Sequence, residues 1–371
     1  MTKSLYAYFG LLNLHKIDSP GHSFYQLGLL DSIRNEFYNS PLAAGYVPID
    51  VQFEFFSYYP PELINQEILD PENILPNTEL GKVFSDYEDS LIYAKIFDLD
   101  TIITSIKNKS YDKLFLKARF RNLSTLSKKW NDTTIFEEIL NTAISSGYTK
   151  DQIIILDTDL SLPQSFLDEY SDKLTIIIPS IDIPGISVEF LTKCIEVNRL
   201  SKKVNSSIFY GNIDTSDYNA GNSKSEILVP ALSWLNNYYT EFAYDGRLIL
   251  INKKDTSNIF EGSIFVPRNN RKYIWDILSE STIMINITKD KYSKEHFIPA
   301  RVYEAMIFGM IPVSYNFEFL CKAFSFSKIS ELSEIIKYLH NCSPEDYNVA
   351  YLYFIKSYLS IFQNKRILLN K

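Results

Sequence analysis

The chain has 371 residues, a length that exceeds one ordinary hydrophobic core and predicts two domains. Hydrophobic residues make up 46% and charged residues 22%, which is typical of a folded globular protein and excludes a disordered one. The net charge of −8 argues against a protein that coats nucleic acid nonspecifically, but it leaves room for one local basic face.

Strand and helix patterns alternate along the whole chain. Strands are predicted over residues 4–14, 47–59, 111–120, 151–160, 174–181, 206–214, 247–252, 259–266, 281–288 and 311–315. Helices are predicted over residues 19–37, 134–148, 223–235, 297–310, 330–341 and 347–362. Alternation of this kind predicts an α/β fold with two parallel-sheet domains and a cleft between them.

The cysteines and the N-terminal segment bear on the compartment. Cys194, Cys321 and Cys342 show no CxxC spacing, and their odd number resists full pairing. We therefore expect reduced, buried thiols and a cytoplasmic protein. The N-terminal apolar segment is interrupted too early for a signal peptide, and no later segment reaches the ~18 uncharged apolar residues of a membrane span. No membrane partner is expected.

The apolar segment 296–313 carries two charged residues, Arg301 and Glu304. Pro299 suits the first turn of a helix, which places Arg301 near the helix N-terminus and both charged side chains on one face. A guanidinium there can bind a diphosphate bidentately, and a carboxylate one turn later can accept hydrogen bonds from two ribose hydroxyls. The alternative is a local Arg–Glu ion pair on a half-buried helix, and spacing alone does not separate the two.

The motifs around this pair carry a resemblance to a known family. Residues 281–306 contain an apolar strand, an Asp-Lys pair, a polar loop and then Phe-Ile-x-x-Arg-Val-aromatic-Glu-x-Met. The motifs YDKLFL, IIILDTDLSLP, IFYGN and IFEGSIFVPRNN precede it in order along the chain. As a collinear set, spanning Pro20 to Phe317, they resemble the DNA β-glucosyltransferases of T-even bacteriophages, which are GT-B glycosyltransferases.

The resemblance implies a GT-B fold and an inverting transfer of glucose, or a related sugar, from a UDP-sugar. The acceptor would be a 5-hydroxymethylpyrimidine base such as 5-hydroxymethylcytosine in bacteriophage DNA, a modification used for restriction evasion. Two rivals stay open: a GT-B enzyme acting on a surface glycan or a protein, and a catalytically inactive DNA-binding relative. The implied partners are double-stranded DNA and the UDP-sugar. The protein would be a monomer with no tightly bound cofactor or metal site, and Mg²⁺ or Mn²⁺ would at most be stimulatory.

The same resemblance divides the chain into three parts. Residues 1–190 would form an acceptor-binding (DNA-binding) Rossmann-like domain, and residues 191–350 a Rossmann-like domain that binds the UDP-sugar. Residues 351–371 would form a C-terminal helix that packs back on the first domain.

On the donor side, the resemblance assigns the UDP diphosphate to Arg301 and the ribose to Glu304. Asp290, from the Asp-Lys pair, would lie beside the donor, as would Gly211 at the end of the IFYGN strand. Lys224 stands where the family has a phosphate-binding arginine, and a second arginine of the family has no clear match here.

The uracil contact is assigned to the backbone around Val266. The loop before it is longer here than in the family, which leaves Ile264 as the alternative.

On the acceptor side, the resemblance makes Asp159 the general base. Asp159 stands at the end of a predicted strand, and strand carboxyl ends open onto the ligand crevice in open α/β sheets. The alternative is an aspartate that caps the following turn, an interpretation that fits Asp157 better. His22 stands where the family has a glutamate nearby, and it would orient the acceptor hydroxyl or contact the donor sugar, unless it is only a cap; Ser23 is the alternative match.

A basic segment without acidic residues begins within the third predicted strand and continues beyond it, from Lys113 to Lys129. Its charged members are Lys113, Lys117, Arg119, Arg121, Lys128 and Lys129. Such a segment on an acidic protein favours a surface that contacts DNA phosphates, with Phe120 wedged beside an extruded base. The alternative is a solvated basic face without a ligand.

Overall fold

The structure is a computed structural model. It describes residues 4–10, 51–57, 79–80, 82–83, 99–117, 133–157, 160, 162–182, 185–186, 188–198, 204–211, 213, 223–243, 245–252, 259–267 and 271–363.

A five-stranded parallel sheet lies in the first half of the chain. Its strands are β1 (Ser4–Gly10), β2 (Val51–Ser57), β3 (Lys113–Lys117), β4 (Ile153–Leu156) and β5 (Thr175–Ile177). They are ordered β2-β1-β3-β4-β5, so the order reverses between β1 and β3. The helices described beside it are α1 (Leu99–Lys107), α2 (Thr133–Ser145) and α3 (Gln164–Tyr170).

A six-stranded parallel sheet lies in the second half. Its strands are β6 (Val204–Tyr210), β7 (Arg247–Asn252), β8 (Ile264–Pro267), β9 (Ser281–Asn286), β10 (Ile311–Tyr315) and β11 (Ser325–Phe326). They are ordered β11-β10-β9-β6-β7-β8. Counted from β6 this is the Rossmann strand order, with its reversal between β6 and β9.

Helices surround the second sheet. They are α4 (Val188–Asn198), α5 (Val229–Glu241), α6 (Arg271–Glu280), α7 (Asp290–Lys294), α8 (Ala300–Ile307), α9 (Ile329–Asn341) and α10 (Pro344–Gln363). A π-helical segment, Ser223–Leu228, leads into α5, and a 3₁₀ turn, Lys322–Phe324, precedes β11. The predicted fold class, two Rossmann-like parallel-sheet domains of the GT-B type, is confirmed by these two sheets.

Each sheet has its own hydrophobic core, because strands buried on both faces need apolar residues at every position. All four residues of β4 and all six of β9 are buried. The first core includes Leu114, Phe136 and Ile153, and the second includes Phe209 and Trp275. Two packed cores match the two domains expected from the chain length.

Helices α4 and α10 bear on the predicted domain limits. Phe190 and Cys194 of α4 pack in the second core, so the limit at residue 190 falls within a helix of that core. The limit at residue 350 likewise falls inside α10. In α10 the Tyr347 hydroxyl donates to the carbonyls of Thr282 (2.5 Å) and Gly309 (3.0 Å), which ties the start of α10 to the second sheet. The domain limits themselves stay predictions.

Most predicted elements differ from the observed ones by a few residues at their ends, and for three of them the physical cause is clear. The helix expected over 297–310 begins only at Ala300, because Pro299 has an extended ψ of 156°. It ends at Ile307, because Gly309 (φ +69°) closes it with the left-handed conformation typical of helix ends. The strand expected over 259–266 is reduced to β8, since the chain turns at Gly262. The helix expected over 223–235 starts as a π-helical segment, and the helix expected over 19–37 lies outside the described residues.

Tyr303 of α8 packs against the segment that links the two sheets. Its side chain is fully buried, and burial raises its pKa well above the ordinary value. The ring meets Tyr358 of α10 edge-on, with 5.8 Å between centroids. At Gly185, before α4, an added Cβ would lie 2.5 Å from both Cζ and the hydroxyl oxygen of Tyr303. The linking segment therefore passes over α8 at a distance that only glycine allows.

We expect Gly185→Ala to lower the free energy of unfolding by about 1–3 kcal/mol, the usual cost of overpacking a closed core. Urea titration measures it. The double variant Gly185→Ala/Tyr303→Leu, with the ring removed, should lose less than the sum of the two single changes. Strict additivity would show that the methyl group and the ring do not collide.

Candidate active site

The carboxyl ends of β6 and β9 meet where the strand order of the second sheet reverses. In open α/β sheets this position opens a crevice in which ligands bind. Gly211 follows β6 directly, and its backbone N–H donates to the carbonyl of Ile251 at the end of β7 (3.2 Å). Ile287 follows β9. These strand ends form the floor of the candidate site.

Arg301, the second residue of α8, lies at this reversal point. Its Nη1 donates to the carbonyl of Ile287 (3.4 Å), and its guanidinium carbon lies 5.6 Å from the centroid of the Phe209 ring. A Cβ added to Gly211 would lie 3.0 Å from Nη2, so the guanidinium also contacts the end of β6. The half-buried cation thus contacts both strand ends. A guanidinium carries five N–H donors in a fork that fits a diphosphate.

Glu304 lies one turn after Arg301 on α8, as the spacing predicts. It is 2% exposed, so its side chain lies in the interior rather than on the surface. A carboxylate at such a position needs hydrogen-bond partners to offset its desolvation. The ribose role assigned to it stays a prediction.

Helix α7 connects the crevice with the first domain. Asp290, half-buried, begins this helix. The next residue, Lys291, donates from Nζ to the carbonyl of Leu160 (2.7 Å), which lies in the segment after β4. The carboxyl ends of β4 and β9 therefore face each other. Arg301 contacts the residue that follows β9, so the candidate site lies at the end of the second sheet from which α7 reaches the first domain.

The segment after β4 carries both predicted aspartates. Asp157 is 4% exposed, and its Oδ2 accepts the backbone N–H of Leu162 (3.2 Å), so the capping role expected for it is confirmed. Asp159 lies outside the described residues, two positions after Asp157 and one before Leu160. Its role as general base stays a prediction.

Several other predicted site residues lie wholly or partly outside the described part of the chain. His22, Ser23, Arg119, Phe120, Arg121, Lys128 and Lys129 lie outside it altogether. For Lys117 and Lys224 the backbone is described and the side chain is not: Lys117 is the last residue of β3, and Lys224 is in the π-helical segment.

Lys113 does not lie where the sequence predicted it to be, among the residues of the expected basic surface. It begins β3, at the edge of the sheet opposite the carboxyl ends. There its Nζ donates to the carbonyl of Asp151 (3.1 Å), and burial lowers its pKa. Lys113 therefore lies outside the predicted basic surface, and the part of that surface from Lys117 onward stays a prediction.

Val266 and Ile264 belong to β8, the last strand on its side of the described sheet. Val266 is fully buried and pairs with Ile251, while Ile264 is half-buried. Because all strands are parallel, β8 ends on the same edge of the sheet as β6, with β7 between them. The uracil contact stays a prediction for the backbone of this strand.

Three features of the described residues concern expectations from the sequence: the cysteine thiols, possible metal ligands and possible membrane-spanning helices. Cys194 and Cys321 are buried, Cys342 is partly exposed and all three are unpaired; burial raises the pKa of each thiol. Within the described ranges no group of three or more His, Cys, Asp or Glu side chains forms a metal site. The helices in those ranges are also too short or too polar to cross a bilayer.

Comparison with known proteins yields structural similarities only. No protein-family model matches the chain, and no curated protein sequence matches it. A sucrose-phosphate synthase from Thermosynechococcus elongatus is 11% identical, with 98% of this chain and 97% of that chain covered and a TM-score of 0.42. A trehalose-6-phosphate structure from E. coli, bound with UDP-2-fluoro glucose, is 8% identical over 98% and 97% of the chains (TM-score 0.45). A UDP-forming α,α-trehalose-phosphate synthase from Burkholderia xenovorans is 10% identical over the whole of both chains (TM-score 0.44).

At these TM-scores the similarities do not assign an activity to this chain. The fold rests on the two sheets, and the site rests on the contacts of Arg301.

The sequence did not reveal three residues of this site. Phe209 lies under the guanidinium, although in the sequence it is only one apolar residue of a strand. Lys291 belongs to the Asp-Lys motif, but the motif carries no sign of the contact with Leu160. Both contacts join residues that are far apart in the chain, so the spacing of residues in the sequence does not reveal them.

We expect Arg301→Ala to weaken UDP binding by about 1.5–3 kcal/mol, the range for a hydrogen bond to a charged group. Isothermal titration calorimetry with UDP measures it. Arg247→Ala is the matched control, because Arg247 is exposed and begins β7 at the opposite edge of the same sheet. Equal UDP affinity in the two variants would exclude Arg301 from the nucleotide site.

Proposed function

We propose that this protein is a GT-B glycosyltransferase that uses a UDP-sugar donor. The observation that carries the proposal is the Arg301 guanidinium at the reversal point of a Rossmann-ordered sheet, in contact with both strand ends. Nucleotides bind at this position in such sheets, and arginine is suited to the diphosphate. The contact of Lys291 with the first domain supports a second substrate site across the cleft.

The reaction we propose is a single in-line displacement. Asp159 takes the proton of the acceptor hydroxyl, whose oxygen attacks the anomeric carbon of the sugar while the bond to the UDP oxygen breaks. Arg301 stabilises the negative charge that develops on the leaving diphosphate. One displacement inverts the anomeric centre, so an α-linked donor yields a β-linked product. A divalent cation would assist product release without a protein ligand cluster.

For the acceptor we propose a 5-hydroxymethylpyrimidine in duplex DNA, with glucose as the sugar. Support comes from the collinear motifs shared with the bacteriophage enzymes. It also comes from the first sheet, whose order reverses between β1 and β3. The segments that continue from these two strands, with His22 in one and residues 118–129 in the other, start at the crevice end of that sheet. Basic residues starting there suit a DNA phosphate backbone.

A panel of donors and acceptors tests this proposal. The protein is incubated with UDP-glucose, UDP-galactose or UDP-N-acetylglucosamine, and with duplex DNA containing hydroxymethylcytosine, hydroxymethyluracil or unmodified bases. A sugar phosphate and a free saccharide complete the set. Released UDP is measured, and digested DNA is analysed by nucleoside mass spectrometry.

We expect hydroxymethylated DNA to stimulate UDP release and to gain one hexose per modified base. Stimulation only by a saccharide or a sugar phosphate would overturn the DNA acceptor and keep the UDP-sugar enzyme. Tight DNA binding without turnover of any donor would overturn the enzyme itself.

We expect Asp159→Asn to abolish transfer while leaving UDP affinity unchanged, because the amide keeps the shape and cannot accept the proton. Steady-state transfer and UDP calorimetry are measured on the same preparation. Asp172→Asn is the control, because this exposed aspartate follows α3 in the same domain, and the change should leave transfer and UDP affinity unchanged. Full activity of the Asp159 variant would rule out this residue as the base.

A further inference from the structure

The Lys291–Leu160 contact joins the two domains at their crevices. Lys291 is the second residue of α7, and its half-buried ammonium donates to the carbonyl of Leu160 at 2.7 Å. The two residues are 131 positions apart, one in the loop after β9 and the other in the segment after β4. A short hydrogen bond from a cation, partly shielded from water, is among the stronger polar contacts available to a protein.

Leu160 accepts this bond in an unusual conformation. Its φ is +51°, in the left-handed region that side chains larger than glycine or asparagine seldom adopt. Such residues persist where the surrounding structure fixes them. Here the second domain supplies two restraints, the ammonium of Lys291 on the carbonyl and the hydrophobic core against which the leucine side chain packs.

The same segment is anchored on its other side by the first domain. The backbone N–H of Asp157 donates to the carbonyl of Ile177 (3.0 Å), and its carboxylate accepts the N–H of Leu162 (3.2 Å). Asp157 and Leu162 are therefore held by the first domain, and Leu160 is held by the second. Asp159 lies between these two anchors in the chain.

We propose that Lys291 is a positioning residue for the transfer reaction: it ties the two domains together across the cleft and fixes the segment that carries Asp159. The inference rests on the proposed function for its catalytic consequence. The two residues of the Asp-Lys pair then have different roles. Asp290 would lie on the donor side, and Lys291 contacts the acceptor domain. Binding of the donor and placement of the base become coupled through α7.

The test compares Lys291→Met, which keeps the aliphatic length and removes the ammonium, with Lys291→Arg, which keeps a cation. Lys294→Met is the matched control, since Lys294 is exposed at the end of the same helix. Two readouts are used on the full-length protein. Hydrogen exchange followed by mass spectrometry reports on the peptide covering residues 157–163, and steady-state kinetics separate kcat from the KM for the UDP-sugar.

We expect Lys291→Met to speed exchange in that peptide and to lower kcat about ten-fold, with KM nearly unchanged, as the loss of one charged hydrogen bond predicts. Lys291→Arg should keep most of the wild-type kcat and most of the protection from exchange in that peptide. Lys294→Met should match the wild type in both measurements. An unchanged rate of hydrogen exchange in Lys291→Met would show that Lys291 does not hold the two domains together. Faster exchange with an unchanged kcat would overturn the positioning role. If the wild type transfers no sugar at all, the proposed function and the positioning role both fail. The exchange measurement still shows whether Lys291 holds the two domains together.

Discussion

The approach of one guanidinium to the backbone at the reversal of the second sheet is the contact on which the candidate site depends. Arg301 reaches this position because α8 starts directly beyond the loop that follows β9. Gly211 leaves space for it, and Phe209 offers an aromatic face. Arginine stays charged at any pH at which the protein is folded. A partly desolvated cation that contacts two strand ends is stabilised by an anionic ligand, and a nucleotide diphosphate has the matching geometry.

Helix α8 combines this role with the packing of the whole second half. Arg301 faces the crevice, while Tyr303 is buried under the segment that links the sheets and against α10. The candidate site is therefore built on a helix with little freedom to shift, since Gly185 contacts the tyrosine ring closely. Across the cleft, Lys291 of the neighbouring helix α7 donates to the carbonyl of Leu160 in the first domain. Rigid support behind Arg301 and a polar contact between the domains suit the proposed alignment of two substrates.

The regular parts of the fold could be predicted from the sequence because their physics is local. Strand β4 is apolar at every position and β9 is apolar at its centre, residues 283–285, as burial on both faces favours. The ends of elements were harder: α8 is shorter than its apolar pattern because Pro299 and Gly309 set its limits. In the site, the spacing of Arg301 and Glu304 predicted one shared helix face, and the structure has it. The prediction that Lys113 belongs to the basic surface was wrong, because residues that are close in the sequence can lie at opposite ends of one strand. Contacts such as Phe209 with Arg301 arise only from tertiary packing.

A crystal structure of the protein with UDP bound tests the central claim most directly. The account predicts the diphosphate within hydrogen-bond distance of the Arg301 guanidinium, between Gly211 and the start of α8, with the uracil toward β8. A diphosphate bound elsewhere, with Arg301 still against the carbonyl of Ile287 and remote from the nucleotide, would contradict it.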